Sequence, residues 1–240
     1  MVSIQERSPG GSRTRYEFKP SPHSSHVLVL ASLPAEGRGR SILDLGCSGG
    51  DLSRLMVERG FVVTSVDKPG NPRPQLPAGV KFMEADLDAG LPRTLAGPFD
   101  FIICADVLEH LKEPEGFLAS LAGALAPGGR LVASLPNSGN IYFRLNVLMG
   151  RFPAHDRGLF DRTHLHFYMW SGWKELFENA GFRLESVYPT AIPFSLAFPR
   201  WENSDLVRGM ENFYHLFARA WKKLFAFQFV VIASVAEEHS

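Results

Sequence analysis

The sequence predicts an α/β domain: seven strands in a mostly parallel sheet with helices on both faces. Three observations carry that expectation. Near-continuous apolar runs, such as Ile42-Leu43-Asp44-Leu45 and Phe99-Asp100-Phe101-Ile102-Ile103-Cys104, recur along the chain, and strands covered on both faces read this way rather than as strict alternation. These runs alternate with segments of helical apolar spacing, which is the order of a parallel sheet with crossover helices. The first run feeds a turn, Gly46-Cys47-Ser48-Gly49-Gly50, whose glycines let backbone N–H groups approach a ligand at the strand's carboxyl end.

In chain order, residues 1–14 are polar, basic and glycine-containing, and read as a disordered tail before one domain over 15–240. A cap over 15–40 holds the apolar stretch 24–33, and serines ahead of that stretch are a helix-start signal. Strands are expected at 41–46, 61–66, 80–84, 99–105, 129–135, 182–188 and 226–235, and helices near 50–59, 114–125, 170–180 and 205–224. In the last helix Leu206, Met210, Phe213, Phe217, Trp221 and Leu224 form a stripe read as core packing. No internal repeat is visible.

The composition is that of a soluble enzyme. Twenty-five basic residues balance 25 acidic ones, so bulk attraction to nucleic acid or to an anionic membrane is not indicated, although a local patch remains open. The longest apolar stretch, 225–235, is too short to span a bilayer, and no secretory-type segment stands near the N-terminus. Cys47 and Cys104 both fall at predicted strand ends, which argues against a disulfide and for a reduced, cytoplasmic setting.

The glycine turn lacks the G-x-G-x-x-G spacing of dinucleotide folds and the terminal Gly-Lys-Ser/Thr of phosphate loops. Asp44, two positions before Gly46, would repel a pyrophosphate but suits a ligand carrying a cationic amino acid. Asp67, at the end of the second predicted strand, is placed to accept hydrogen bonds from ribose hydroxyls. Glu84-Ala85-Asp86-Leu87-Asp88 follows the third strand, Ala105-Asp106-Val107-Leu108-Glu109-His110 the fourth, and Ala126-Pro127-Gly128-Gly129 leads into the fifth. Taken together and in this order, these motifs resemble those of the class I S-adenosylmethionine-dependent methyltransferases.

Residues 136–168, with Gly150-Arg151-Phe152, Gly158-Leu159 and Asp161-Arg162-Thr163-His164-Leu165, are similar to a bacterial subgroup near the ubiquinone-biosynthesis O-methyltransferases and polysaccharide-cluster methyltransferases. The likeness spans about residues 16–235. It implies a Rossmann-like methyltransferase fold with a lid insertion over 138–167 after strand five, and S-adenosylmethionine as cofactor. It further implies O-methylation of a small-molecule or glycan-precursor acceptor. Two positions depart from the pattern. Ser48 replaces a glycine, which fits if its φ stays negative, and His166 replaces a more usual arginine.

The resemblance assigns cofactor contacts to Tyr16, Asp44, Gly46, Cys47, Ser48, Gly50, Asp67, Lys68, Asp86, Leu87, Ala105 and Asp106. Sulfonium methyl transfer is dominated by positioning and exclusion of water, and an alcohol acceptor gains from a general base. His110 and His164 are the candidates, with Asp161, Arg162 and His166 toward the acceptor. Their alternative role is to tie the lid to the body. No metal is expected; the alternative is a divalent ion at Asp106, Glu109 and His110 with His164 or His166 added. Neither nucleic acid nor stable membrane insertion is expected. The rival functions are a catalytically silent S-adenosylmethionine-binding protein, N- or C-methylation of a natural-product or nucleic-acid acceptor, and a nicotinamide-dependent oxidoreductase.

Overall fold

The computed structural model describes residues 21–95, 97–192 and 204–236; the tail 1–14 and Tyr16 lie outside them. The strands are β1 (Ser41–Leu45), β2 (Val62–Asp67), β3 (Lys81–Glu84), β4 (Phe99–Ala105), β5 (Leu125–Pro136), β6 (Phe182–Pro189) and β7 (Gln228–Val235). They form one sheet in the order β3-β2-β1-β4-β5-β7-β6. Pairing is parallel from β3 through β5, while β7 runs antiparallel to both β5 and β6.

The described helices are α1 (Ser25–Ala31), α2 (Asp51–Glu58), α3 (Pro114–Leu121), α4 (Ile141–Leu148), α5 (Trp170–Asn179), α6 (Asp205–Ala220) and α7 (Lys222–Phe225). Period-two alternation divides the core between the faces of the sheet. Leu43, Leu45, Ile102, Cys104, Leu131 and Ala133 pack with Phe117, Leu118, Trp173 and Phe177 from α3 and α5. Ile42, Val63, Phe101, Ile103 and Val132 pack with Val29 and Leu30 of α1 and Leu52 and Met56 of α2. Trp173 is fully buried and donates its indole N–H to the Pro136 carbonyl at 2.8 Å, pinning α5 to the end of β5.

Crossovers run in opposite directions from β1 and β4, so the switch point of the sheet lies between their carboxyl ends, where open α/β sheets bind ligands. The glycine turn follows β1 there, and Asp106 follows β4.

Two expectations about the C-terminal helix are corrected. It breaks at Trp221 (φ −137°, ψ 67°) into α6 and α7. Its large apolar stripe is also not core: Leu206, Phe213 and Trp221 are more than 60% exposed, and Met210 and Phe217 at least 40%. The residues α6 buries are Val207, Glu211 and Ala218. The predicted lid region holds a helix of its own, α4, capped by Asn140, whose side chain accepts from the Tyr142 N–H.

Candidate active site at the switch point

The turn after β1 lines a cleft together with His26, Asp44, Asp51, Leu52, Ala105 and Asp106. Gly46 and Gly50 hold φ of 70° and 84°. A Cβ on Gly46 would sit 2.7 Å from Val107 Cγ2, and one on Gly50 2.7 Å from Leu76 Cδ2. Both glycines suit the left-handed backbone of the turn, and a Cβ at either would also displace a neighbouring side chain. Ser48 has φ 48°, so the condition of a negative φ is not met, and the serine is accommodated in the left-handed region. The path between two left-handed glycines carries Ser48 into the left-handed region as well. Cys47 also lines the cleft; burial pushes its thiol, and that of Cys104, far up, so both stay protonated and neither is a nucleophile.

Asp44 is 1% exposed. Burial raises its pKa to about 7, partly offset by the hydroxyl of Ser53, and Asp67 adds to the rise. Ser53 donates to Asp44 Oδ2 at 2.5 Å and lies 2.9 Å from Ser65 Oγ. Asp67 accepts at Oδ1 from the Lys68 N–H at 2.7 Å and from Asn71 Nδ2 at 3.1 Å. Its Oδ2 is buried with no hydrogen-bond partner, a costly state for a carboxylate oxygen and one that ribose hydroxyls would relieve. Lys68 Nζ reaches Asp86 Oδ1 at 3.5 Å across the ends of β2 and β3. Asp86 also accepts from the Asp88 N–H, capping a 3-10 turn that buries Leu87.

Asp106 sits at φ 55°. Its N–H donates to Ser134 Oγ at 2.9 Å, and its Oδ1 accepts from Ser134 Oγ and, at 2.7 Å, from Gln228 Nε2 on β7. It is therefore held by the sheet and is not part of the convergent donor set. That set is Glu109, His110 and His164, whose ligand atoms lie within 4.8 Å of one another. Of the two lid histidines considered with it, His164 joins and His166 does not.

His110 and His164 meet edge to face at 4.8 Å between centroids, and His164 Nε2 lies 3.9 Å from Glu109 Oε1. The His164 side chain is 7% exposed and Glu109 1%. Burial, with His110 adding to it, lowers the His164 pKa to about 4, so the ring is neutral at pH 7. Its Nδ1 is buried with no hydrogen-bond partner.

The other lid residues fasten it to the body. The Glu109 carbonyl accepts from the N–H groups of Leu165 and His166 at 2.8 and 3.3 Å. His166 Nε2 reaches the Leu111 carbonyl at 2.8 Å, and its ring stacks on Tyr168. Asp161 Oδ1 accepts from Thr163 N–H and Oγ1, shaping the turn before His164. Arg162 pairs with Asp156 at 3.0 Å, with both side chains exposed. Phe143, Phe152, Phe160 and Phe167 form an aromatic wall in this lid, with Phe143 and Phe160 stacked at 4.4 Å and Phe167 6.1 Å from His164.

Sequence reasoning missed His26 on the cleft, Ser53 and Ser65 behind Asp44, Asn71 behind Asp67, and Ser134 and Gln228 behind Asp106. Gln228, Ser65 and Ser134 left a signal, as polar residues inside apolar strands.

The fold matches solved structures of the same class. A SAM-dependent methyltransferase from Archaeoglobus fulgidus superposes with TM-score 0.57 at 18% identity, over 88% of this chain and 94% of that one. The Burkholderia thailandensis 1,6-didemethyltoxoflavin-N1-methyltransferase, solved with S-adenosylhomocysteine, gives 0.54 at 17%, over 91% and 80%. The sheet is thus that of the class I Rossmann-like methyltransferases. A family model described as a methyltransferase domain matches residues 24–187, and the chain belongs to that family. Among curated relatives, a ubiquinone biosynthesis O-methyltransferase of Xanthomonas axonopodis pv. citri is 32% identical over 171 residues, 67% of this chain and 70% of the relative. Its Caulobacter sp. (strain K31) counterpart is 36% identical over 123 residues, 45% and 48%. The chain spans about half the length of several of the curated relatives it matches. Among the described residues no helix is long and apolar enough to cross a membrane.

Proposed function

We propose that the protein is a cytoplasmic S-adenosylmethionine-dependent O-methyltransferase acting on a hydroxyl of a small molecule or glycan precursor. The observation that carries the reading is His164: a neutral, buried imidazole with an unpartnered Nδ1, beside the buried carboxyl of Glu109. The names of the relatives support the oxygen acceptor, and the S-adenosylhomocysteine bound in a structural neighbour supports the cofactor.

The residues present fit that cofactor. Asp67 Oδ2 would take the ribose hydroxyls, Asp86 and Leu87 would flank the base, and Asp44 would face the amino-acid end. When bound, S-adenosylmethionine supplies a sulfonium methyl that is already activated. The protein's part is then to orient the acceptor, exclude water beneath the aromatic lid, and remove the hydroxyl proton. His164 takes that proton at Nδ1, and the carboxyl groups of Asp161 and Asp106 offset part of the cost of the buried imidazolium.

His164→Asn should lower turnover about a hundredfold or more, in the range of general-base losses, with S-adenosylhomocysteine affinity unchanged. The assay is labelled-methyl transfer into fractionated host extract. Full transfer in that variant would return His164 to a structural role. A second reading rests on the convergence of Glu109, His110 and His164. An oxygen and two imidazoles suit a borderline divalent ion that would orient the acceptor oxygen. Loss of transfer on EDTA treatment, restored by added metal, would select this reading; indifference to EDTA would end it.

A further inference from the structure

Residues 68–80 join the parallel neighbours β2 and β3 with no helix between them, where such a crossover is usually helical. Pro69, Pro72, Pro74 and Pro77 account for its absence. Each lacks the N–H a helix needs and fixes its own φ, so the segment is an extended strap with few conformations to lose on folding. The strap opens on a tight turn. The Asn71 N–H donates to the Lys68 carbonyl at 3.2 Å, and Pro69 followed by Gly70 at φ 80° is the sequence and backbone of a type II turn. That turn brings the Asn71 side chain back to Asp67. At its far end the strap returns to the glycine turn: the Gln75 N–H donates to the Gly49 carbonyl at 3.3 Å, and Leu76 and Pro74 lie against Gly50. One strap therefore runs between the carboxyl of Asp67 and the turn after β1.

Asp67 is fixed at backbone and side chain. Its carbonyl accepts from the Ala85 N–H at 2.9 Å. Its Oδ1 accepts from the Lys68 N–H at 2.7 Å and from Asn71 Nδ2 at 3.1 Å. The χ2 torsion of an aspartate is broad when nothing holds it. Two donors on one oxygen set that torsion, and in doing so they direct the other oxygen, Oδ2, which is buried and has no hydrogen-bond partner. The turn itself does not require an amide, because aspartate serves a turn as well as asparagine does. What the amide adds is a donor aimed at a carboxylate.

We propose that Asn71 is a positioning residue of the cofactor site: its amide holds the Asp67 carboxyl so that Oδ2 is presented to the ribose, and thereby sets selectivity for ribose over deoxyribose. The proposal rests on the reading of Asp67 as the ribose acceptor. A site built to pair with a hydroxyl rejects the analogue that lacks it. Calorimetric titration of the full chain with S-adenosylhomocysteine and with its 2′-deoxy analogue tests the proposal, and wild type should favour the first at least about tenfold. Asn71→Asp keeps a turn-forming residue of the same size, removes the donor and sets a second carboxylate beside the first. It should weaken S-adenosylhomocysteine at least about tenfold and reduce the preference to about twofold or less. Asn71→Ala should weaken it about fivefold. Both variants should melt close to wild type, because Asn71 is exposed. An Asp67→Ala variant with wild-type affinity and preference would remove Asp67 from the ribose, and the proposal with it. If Asp67→Ala abolishes the preference while both Asn71 variants keep it, the reading of Asp67 stands and the proposal alone falls. Equal weakening of both ligands, with a lowered denaturation midpoint, would assign Asn71 to holding the strap and would also overturn it.

Discussion

Asp44 is the most perturbed carboxyl with a bearing on cofactor binding, and replacing it by asparagine should separate its two roles. Its pKa rises from 3.8 to about 7 because burial penalises the charge more than the Ser53 hydroxyl relieves it. A rise of that size corresponds to about 4 kcal/mol of differential stability. A raised carboxyl pKa means that the folded state holds its proton longer than the unfolded chain. The protein without cofactor should therefore lose stability as pH rises from about 4 to about 7, and no more from this group above that. Asp44→Asn keeps an acceptor for Ser53 and does not titrate. The variant without cofactor should match wild type near pH 4 and exceed it by about 2–4 kcal/mol at pH 8. Binding should move the other way. The ammonium of S-adenosylhomocysteine would favour the carboxylate, so wild-type affinity should fall as pH drops below 7, and the variant should bind at least about tenfold more weakly at pH 8. Denaturant melts across that pH range, with calorimetric titration of S-adenosylhomocysteine, read both quantities. A stability difference that does not change with pH, or a variant less stable than wild type at pH 8, would refute the reasoning.

Ser48→Gly should raise stability by about 1 kcal/mol, read as a higher denaturation midpoint, because it removes a Cβ from a residue at φ 48°; an unchanged or lower midpoint would show that the serine side chain compensates. Asn140→Ala removes the cap of α4 and two donor contacts, at 2.8 and 3.2 Å, to the Ala226 and Phe225 carbonyls. It should cost about 2–4 kcal/mol and lower kcat/KM while leaving S-adenosylhomocysteine affinity in place. Equal loss of cofactor affinity would mean that the lid and the cleft are one unit.

What was legible in the sequence was whatever the backbone and a fixed period dictate. Continuous apolar runs gave the strands, and their order gave the parallel sheet. The spacing of Gly46 and Gly50 placed the turn, whose positive φ values the structure confirms. Asp67 stands at the end of β2 as the sequence placed it. The stripe on α6 misled for a physical reason. Periodicity reports that side chains share a face, not what covers it, and the face α6 buries is made of Val207, Glu211 and Ala218, too mixed to register as apolar. The pairing of His164 with Glu109 depends on contacts across 55 residues, so Asp161-Arg162-Thr163-His164-Leu165-His166 offered four candidate side chains with no means of ranking them. In the structure His166 engages the Leu111 carbonyl and Arg162 engages Asp156, contacts that no local pattern announces.

The two halves of the site meet at Asp106. It lines the cleft, and it is the last residue before the segment that carries Glu109 and His110. A left-handed conformation is costly for most residues and is tolerated best by asparagine and aspartate among those with side chains. Here it redirects the chain from the axis of β4 into the 3-10 turn Leu108–His110, which sets Glu109 beneath the lid. The conformation is braced from two strands: Ser134 on β5 binds both the N–H and the carboxylate, and Gln228 on β7 binds the carboxylate. Because β7 is the antiparallel strand whose start is tied through Ala226 to Asn137 and Asn140 at the root of the lid, the same strand that orients the cleft residue also anchors the lid. Lid position, the direction of the Glu109 turn and the wall of the cofactor cleft are therefore set by one hydrogen-bonded frame at the carboxyl edge of β4 and β5. This frame ties the wall of the cleft at Asp106 to the turn that carries Glu109, against which His164 packs.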